Sequence, residues 1–302
     1  MDISTIINSF SSFNLISELI ENNETTEIIN TIARYININV NTLATFPMGG
    51  YSKGRTSGSY YYVLKDLKSN LCHYQWLYSM LSDERSKEVF LNLMQFKVLP
   101  DMNFIKKACD KDHDQYFDHK IVHCNKDEVF VDCGGFIGDT VESFIKNYKE
   151  YKKIYTYEPS KENIEKCRET LKEYKNISLK PFGVGKKEDT IFFTQSGSSS
   201  SFMADPNIDK EEVKITSLDV DIKEPVSFIK MDVEGSEIDA IIGAKRHIKN
   251  DHPKLAICVY HIISDIWEIP KLIYAVNPQY KFYIRHYRED QNWETVLYAI
   301  PK

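Results

Sequence analysis

The sequence predicts an α/β protein. It has a mostly parallel sheet with an antiparallel last strand and an inserted β-hairpin, preceded by an α-helical region. Three observations predict this. From residue 116 onward, short apolar runs alternate with amphipathic stretches of helical period, the pattern of strand–helix–strand units. Before residue 115, apolar residues recur at helical spacing. The last two strands are joined by a connection too short for a crossover, so they run antiparallel. We therefore expect a helical region over residues 1–115 and an α/β domain over 116–302.

The elements follow in order. Ile6, Ile7, Phe10, Phe13, Leu15, Ile16 and Leu19 give one apolar helical face, and a second helix spans about Thr25 to Tyr35. Pro47 to Gly58 is rich in Gly and Ser and reads as a linker. Its Gly49, Gly54, Arg55 and Thr56 approach a phosphate-binding loop. Arg55 stands where that motif needs Lys, and Pro47 argues against the strand it requires. Tyr60 to Met80 is a third helix. A fourth follows the capping residues Ser82 and Asp83 and stops before Pro100. Strands are expected at 128–133, 153–158, 177–182, 226–232 and 254–260, with helices after the first, second and fourth. The inserted hairpin is expected at 190–194 and 213–218, and the final pair of strands at 280–286 and 295–300.

Composition narrows the function. A formal charge of -6 over 302 residues argues against a nucleic-acid binder. No apolar run approaches a membrane span. The six cysteines show no Cys-x-x-Cys or zinc spacing, and no leader is evident, so the reading is a reducing cytoplasm with free thiols.

Three motifs carry chemistry. Val129 to Thr140 is a hydrophobic strand ending in Asp132, then a turn with Gly134, Gly135 and Gly138, then a helix containing Thr140. Glycines admit close approach of a ligand to backbone, and a helix start offers free N–H groups. Phe136 and Asp139 occupy two glycine positions of the dinucleotide fingerprint, so a nicotinamide cofactor is excluded. The second motif is Tyr157-Glu158-Pro159. A carboxylate at the tip of the second strand can accept both hydroxyls of a ribose, and Pro159 ends the strand. In the third, Lys230-Met231-Asp232-Val233-Glu234-Gly235, a strand delivers Asp232 and Glu234 to its carboxyl end. Such acids can bind an ammonium group, orient a base, hold a metal or cap the next helix.

These elements together resemble the FkbM-type methyltransferases. The resemblance rests on Asp132-Cys133-Gly134-Gly135-Phe136-Ile137-Gly138-Asp139-Thr140, Tyr157-Glu158-Pro159, Lys230 to Glu237, Tyr260-His261, Gln115 to Asp118 and Glu294 to Ala299. It covers about residues 82–302. It implies a seven-stranded Rossmann-like fold, S-adenosylmethionine as donor, and O-methylation of a sugar, glycan or specialised metabolite. By position it implies that Asp132, Gly134, Gly135, Gly138 and Thr140 shape the cofactor pocket and that Glu158, with Pro159 beside it, holds the ribose. Phe182, Gly183 and Val184 would line the adenine. A serine loop including Ser199 and Ser200 would close over the cofactor, or else be a plain linker.

Methyl transfer to a hydroxyl gains from a base, and His261, after the fifth strand, is the candidate, with Asp232 and Glu234 beside it in the catalytic set. His286 is the second candidate. Arg285 or Arg288 could bind an anionic acceptor, such as a nucleotide sugar. No metal is assigned; Mg²⁺ on Asp232 and Glu234 is the variant left open. Two other readings also stay open: methylation of an amine, and a non-catalytic subunit that binds S-adenosylmethionine. The N-terminal helices could cap the acceptor, pair two chains or dock a partner.

Overall fold

The structure is a computed structural model and describes residues 1–51, 57–112, 114–194 and 210–302. The chain groups into two compact units. One comprises Met1–Asp112, Val259–Lys271 and Phe282–Leu297; the other comprises His113–Cys258, Leu272–Lys281 and Tyr298–Lys302.

The first unit begins with α1 (Ile3–Ser9) and α2 (Phe13–Asn22), where the sequence pattern suggested one continuous face. Ser12 interrupts it. Its side chain accepts from Leu15 N and caps α2, a local bond that outweighs continued periodicity. Next come α3 (Thr25–Tyr35) and α4 (Val40–Ala44). Pro47 does not prevent a strand: β1 (Pro47–Tyr51) pairs antiparallel with β2 (Ser57–Ser59). Proline is tolerated at the first position of such a strand. The expected helix from Tyr60 to Met80 is two, α5 (Tyr60–Ser69) and α6 (Leu71–Met80). They part at Asn70, whose side chain donates to Asp66 at 2.8 Å. Asp83 caps α7 (Glu84–Val98), and Asp101 caps the short α8 (Met102–Ala108), for which the sequence reading has no counterpart.

The second unit starts with β3 (Val129–Cys133), α9 (Asp139–Tyr148), β4 (Lys153–Tyr157), α10 (Lys161–Leu171) and β5 (Ile177–Lys180). A small sheet follows, with β6 (Gly183–Val184), β7 (Asp189–Thr194) and β8 (Lys210–Thr216) in the order β6-β8-β7. The antiparallel β7–β8 pair is the expected hairpin, and β6 adds to it in parallel. Then come α11 (Leu218–Asp221), β9 (Phe228–Met231), α12 (Glu237–Gly243), α13 (Lys245–Asn250) and β10 (Lys254–Cys258). The chain finishes with α14 (Asp265–Val276), which holds Pro270 internally, and with β11 (Tyr280–His286) and β12 (Thr295–Pro301).

The main sheet has seven strands in the order β11-β12-β10-β9-β3-β4-β5. The pairs β10–β9, β9–β3, β3–β4 and β4–β5 are parallel. Adjacent β11 and β12 are joined only by residues 287–294, too few for a parallel crossover, so the sheet is mixed. Every residue of β3 and β9 is buried, as strands covered on both faces require. Phe130 stacks on Phe144 of α9 at 4.4 Å between ring centroids, and Phe117 and Phe228 complete that cluster.

An edge strand left bare invites pairing with another chain. In the first unit, the edge strand β11 is covered. Phe282 O accepts from Ser82 N, Ile284 N donates to Ser86 Oγ at 3.0 Å, and His286 O accepts from Asp110 N. Among the described residues no helix is long and apolar enough to cross a membrane.

Candidate functional site

β3 lies between β4 and β9 in parallel register, with Cys133 opposite both Tyr157 and Met231. Three carboxyl ends therefore finish at one level, where open α/β sheets bind ligands. The turn after β3 is built for glycine. Gly134 has φ +87°, and a Cβ there would lie 1.9 Å from Asp232 O. Gly134 N and Gly135 N both donate to Tyr157 O, which ties the turn to the end of β4. A Cβ on Gly135 would fall 2.2 Å from Thr156 Oγ1, and Gly138, at φ +90°, opens α9. Phe136, at a glycine position of the dinucleotide fingerprint, adopts φ +44° with its ring exposed. Thr140 lies half-buried in the first turn of α9, beside the acids Asp139 and Glu142. Acids at a helix start disfavour an anionic ligand and suit a cationic one.

Glu158 directly follows β4 and is buried. Its Oε1 accepts from Ser160 N at 2.8 Å and its Oε2 from Phe136 N at 2.9 Å. The Asn163 side chain gives the carboxylate a further hydrogen bond, and its four lone-pair sites still leave acceptor capacity. Burial raises the Glu158 pKa, and the two backbone N–H bonds offset part of that rise. Pro159 follows, and Ser160 caps α10 through Asn163 N. Gly183 comes close to this corner, since a Cβ on it would lie 3.9 Å from Pro159 Cβ. Phe182 is half-buried just before it, and Val184 is buried. Ser199 and Ser200 lie outside the described residues.

Asp132 has no solvent exposure. Its carboxylate stands 3.0 Å from Lys230 Nζ and accepts from Thr156 Oγ1. Lys230 Nζ also donates to Gly134 O at 2.7 Å. Asp132 thus anchors the glycine turn through Lys230. Burial works against the charge on Lys230, but Asp132 and Asp232 outweigh it and hold its pKa above the usual lysine value. The Tyr116 ring covers the ammonium at 5.1 Å.

Tyr116 OH donates to Asp232 Oδ2 at 2.8 Å, so Asp232 is oriented from the segment that precedes the sheet. The carboxylate brought to within 4.8 Å of Asp232 is that of Glu237. Glu237 is buried and accepts from Val233 N at 2.9 Å. Glu234, which the sequence singled out, sits in the turn at φ +54° and is exposed. Glu237 escaped notice because an acid in the first turn of a helix is commonplace, and nothing in the sequence marks it as buried. Lys230 escaped because its charge falls inside an apolar strand, which is itself the signal that could have found it.

In the other unit, His261 lies three residues beyond the end of β10 and is buried, its ring 4.2 Å from that of Tyr260. β1 packs on this segment, since a Cβ on Gly50 would approach Tyr260 O to 2.9 Å and His261 O to 3.3 Å. His286, the second candidate base, has both nitrogens engaged. Nδ1 is 2.9 Å from Thr295 Oγ1 and Nε2 is 3.1 Å from Gln291 O. Burial pushes its pKa down to about 4, so it stays neutral in place. Arg285 is buried and bound to Asp83 at 2.6 Å and to Ser86, while Arg288 pairs with Asp290. Arg285 is therefore committed inside the fold rather than offered to an acceptor.

Comparison with known proteins gives a concordant result. The chain is similar to the crystal structure of Methyltransferase FkbM from Methylobacillus flagellatus KT, at a TM-score of 0.71 and 23% identity over 89% of this chain and 69% of that one. Two others are distant and nothing rests on them. They are an rRNA methylase from Streptococcus thermophilus (TM-score 0.38, 14% identity, 67% of this chain and 93% of that one) and Aeropyrum pernix fibrillarin with natively bound S-adenosyl-L-methionine (TM-score 0.36, 13% identity, 58% and 67%). No curated protein matches. The methyltransferase FkbM domain matches residues 132–291, which takes in the end of β3, the glycine turn, Glu158, Asp232 and His261. The chain belongs to the FkbM family of S-adenosylmethionine-dependent methyltransferases.

Proposed function

We propose that the protein transfers the methyl group of S-adenosylmethionine to a hydroxyl of a sugar, glycan or specialised metabolite, with His261 taking the hydroxyl proton. The observation that carries this reading is Glu158. A buried carboxylate held by two backbone N–H groups at the tip of β4 retains acceptor capacity beside them, which suits a ribose diol. Other features fit the same cofactor. The glycine turn leaves room beside the strand ends, the first turn of α9 carries the acids Asp139 and Glu142, and Asp232 with Glu237 can receive an ammonium group.

When bound, the cofactor supplies a methyl group already activated by its sulfonium. The chain's own work is to align the acceptor oxygen and to remove its proton. The O–C bond forms as the C–S bond breaks, and the proton passes to the imidazole of His261. The position of His261 just past β10 supports that role, as does the commitment of both His286 nitrogens elsewhere.

Isothermal titration with S-adenosylmethionine, alongside Glu158→Ala, tests the reading. We expect micromolar binding by the wild type. The variant should bind about a hundredfold more weakly or worse, because two hydrogen bonds to a charged group are lost at about 1.5–3 kcal/mol each. Equal affinity in the two proteins would overturn the assignment.

A further inference from the structure

The first unit contains a pocket apart from the glycine turn, Glu158 and Asp232. Val259, Tyr260, Ile262 and Ile263 form part of its wall, the same segment that carries His261. The rest of the lining is mostly apolar. Among the described residues that line it, Lys97 is the one charged side chain. Trp293 is also part of the lining, and its side chain is 47% exposed.

Lys97 occupies the last turn of α7, where a lysine would ordinarily serve the helix carbonyls. Two of those carbonyls are taken: Gln95 O accepts from Leu99 N, and Val98 O from Tyr60 OH. Asp66 is the only charge among the described residues that acts on the ammonium. Its carboxylate already serves Tyr74 OH, Asn70 and Trp267 Nε1. Burial lowers the Lys97 pKa, and Asp66 opposes this less strongly. A cation in an apolar pocket with no carboxylate of its own is an incomplete arrangement, because a desolvated charge requires a partner.

We infer that this pocket is the acceptor site and that the acceptor is an acidic sugar, its carboxylate or phosphate on Lys97 and its ring against Trp293. The inference rests on the proposed methyl transfer for the word acceptor, but not for the binding itself. Charge complementarity selects an anion, and an exposed indole at the same pocket gives a sugar ring an amphipathic face.

Calorimetric titration of the full chain decides it, with and without S-adenosylhomocysteine. The probes are glucuronic acid, galacturonic acid and glucose 6-phosphate, against glucose and galactose. At least one acid should bind about tenfold to a hundredfold more tightly than its neutral parent, the range of a charge-assisted bond. That gap should close in Lys97→Met and persist in Lys97→Arg, with affinity for S-adenosylhomocysteine unchanged in both. Preference for the uronic acids identifies a carboxylate as the anion, and preference for the ester a phosphate. Acids that bind no better than neutral sugars, or not at all, overturn the inference. So does a gap that survives in Lys97→Met. If Lys97→Met does not fold, the wild-type comparison and Lys97→Arg decide. Failure of S-adenosylhomocysteine to bind would sink the methyltransferase reading alone, since the acid–neutral comparison is also made without it.

Discussion

A histidine's use depends on what its two nitrogens already hold. His286 ends one strand and His261 lies just past another, yet the fold gives them different fates. His286 has spent both nitrogens on Thr295 and Gln291 and is sealed in. Its folded pKa of about 4 lies below the ordinary value near 6.5, so the unfolded chain binds the proton more tightly. Its contribution to stability, on the order of 3 kcal/mol, is present above pH 6.5 and is lost as pH falls toward 4. Urea unfolding at pH 7 and pH 4.5 should show the difference, and His286→Gln should flatten the dependence. His261→Ala, in contrast, should lower kcat by about 10²–10⁴-fold, the usual worth of a base, while leaving cofactor affinity within twofold. Turnover close to wild type, measured by methyl transfer at neutral pH, would remove His261 from the mechanism. Glu158 and the glycine turn could be read from the sequence because strand-end acids and glycines have few other uses there. Glu237 and Lys97 could not. Their roles arise from burial, and burial comes from strands and helices brought together from far along the chain.

At the scale of elements, the parallel strands were legible because strands buried on both faces write themselves as apolar runs. Helix boundaries were less so. Apolar periodicity runs straight through Ser12 and Asn70, and local side-chain bonds end the helices there. α14 hid behind Pro270, a residue that usually argues against a helix interior. α7 shows how one residue can serve two elements. Asp83 caps it through Ser86 N at 2.8 Å and also holds Arg285 of β11. Losing the cap alone costs about 1 kcal/mol. Asp83→Ala also takes from the buried Arg285 its 2.6 Å carboxylate partner, whereas Asp110 stands at 4.0 Å. We therefore expect a loss of about 3 kcal/mol for Asp83→Ala, because a buried ion pair is broken on one side as well as the cap. Asp83→Asn, which keeps a capping oxygen, should fall between it and the wild type. Chemical denaturation of the three proteins measures this, and equal midpoints for the wild type and the Asn variant would mean that the ion pair contributes nothing.

For the whole molecule, the sequence suggested a boundary near residue 115, and a linear reading could do no more, because the grouping of segments is not written in order. Val259–Lys271 and Phe282–Leu297 group with the N-terminal helices. A chain beginning at residue 113 would leave Phe282, Ile284, Arg285 and His286 without Ser82, Ser86, Asp83 and Asp110. We predict that such a truncated chain binds the dye ANS strongly and melts without a sharp transition, whereas the full chain does neither. A sharply melting, dye-silent product spanning 113–302 would show that the α/β part is self-sufficient.

The bond from Ile284 N to Ser86 Oγ joins residues 198 apart. At a synthesis rate of about 5–20 residues per second, Ser86 leaves the ribosome roughly 10–40 seconds before its partner exists. For that interval the helices of the first unit hold surfaces shaped for strands not yet made. The cell must keep the nascent chain from aggregating while it waits, so the yield of active protein depends on translation speed and chaperone supply as well as on final stability.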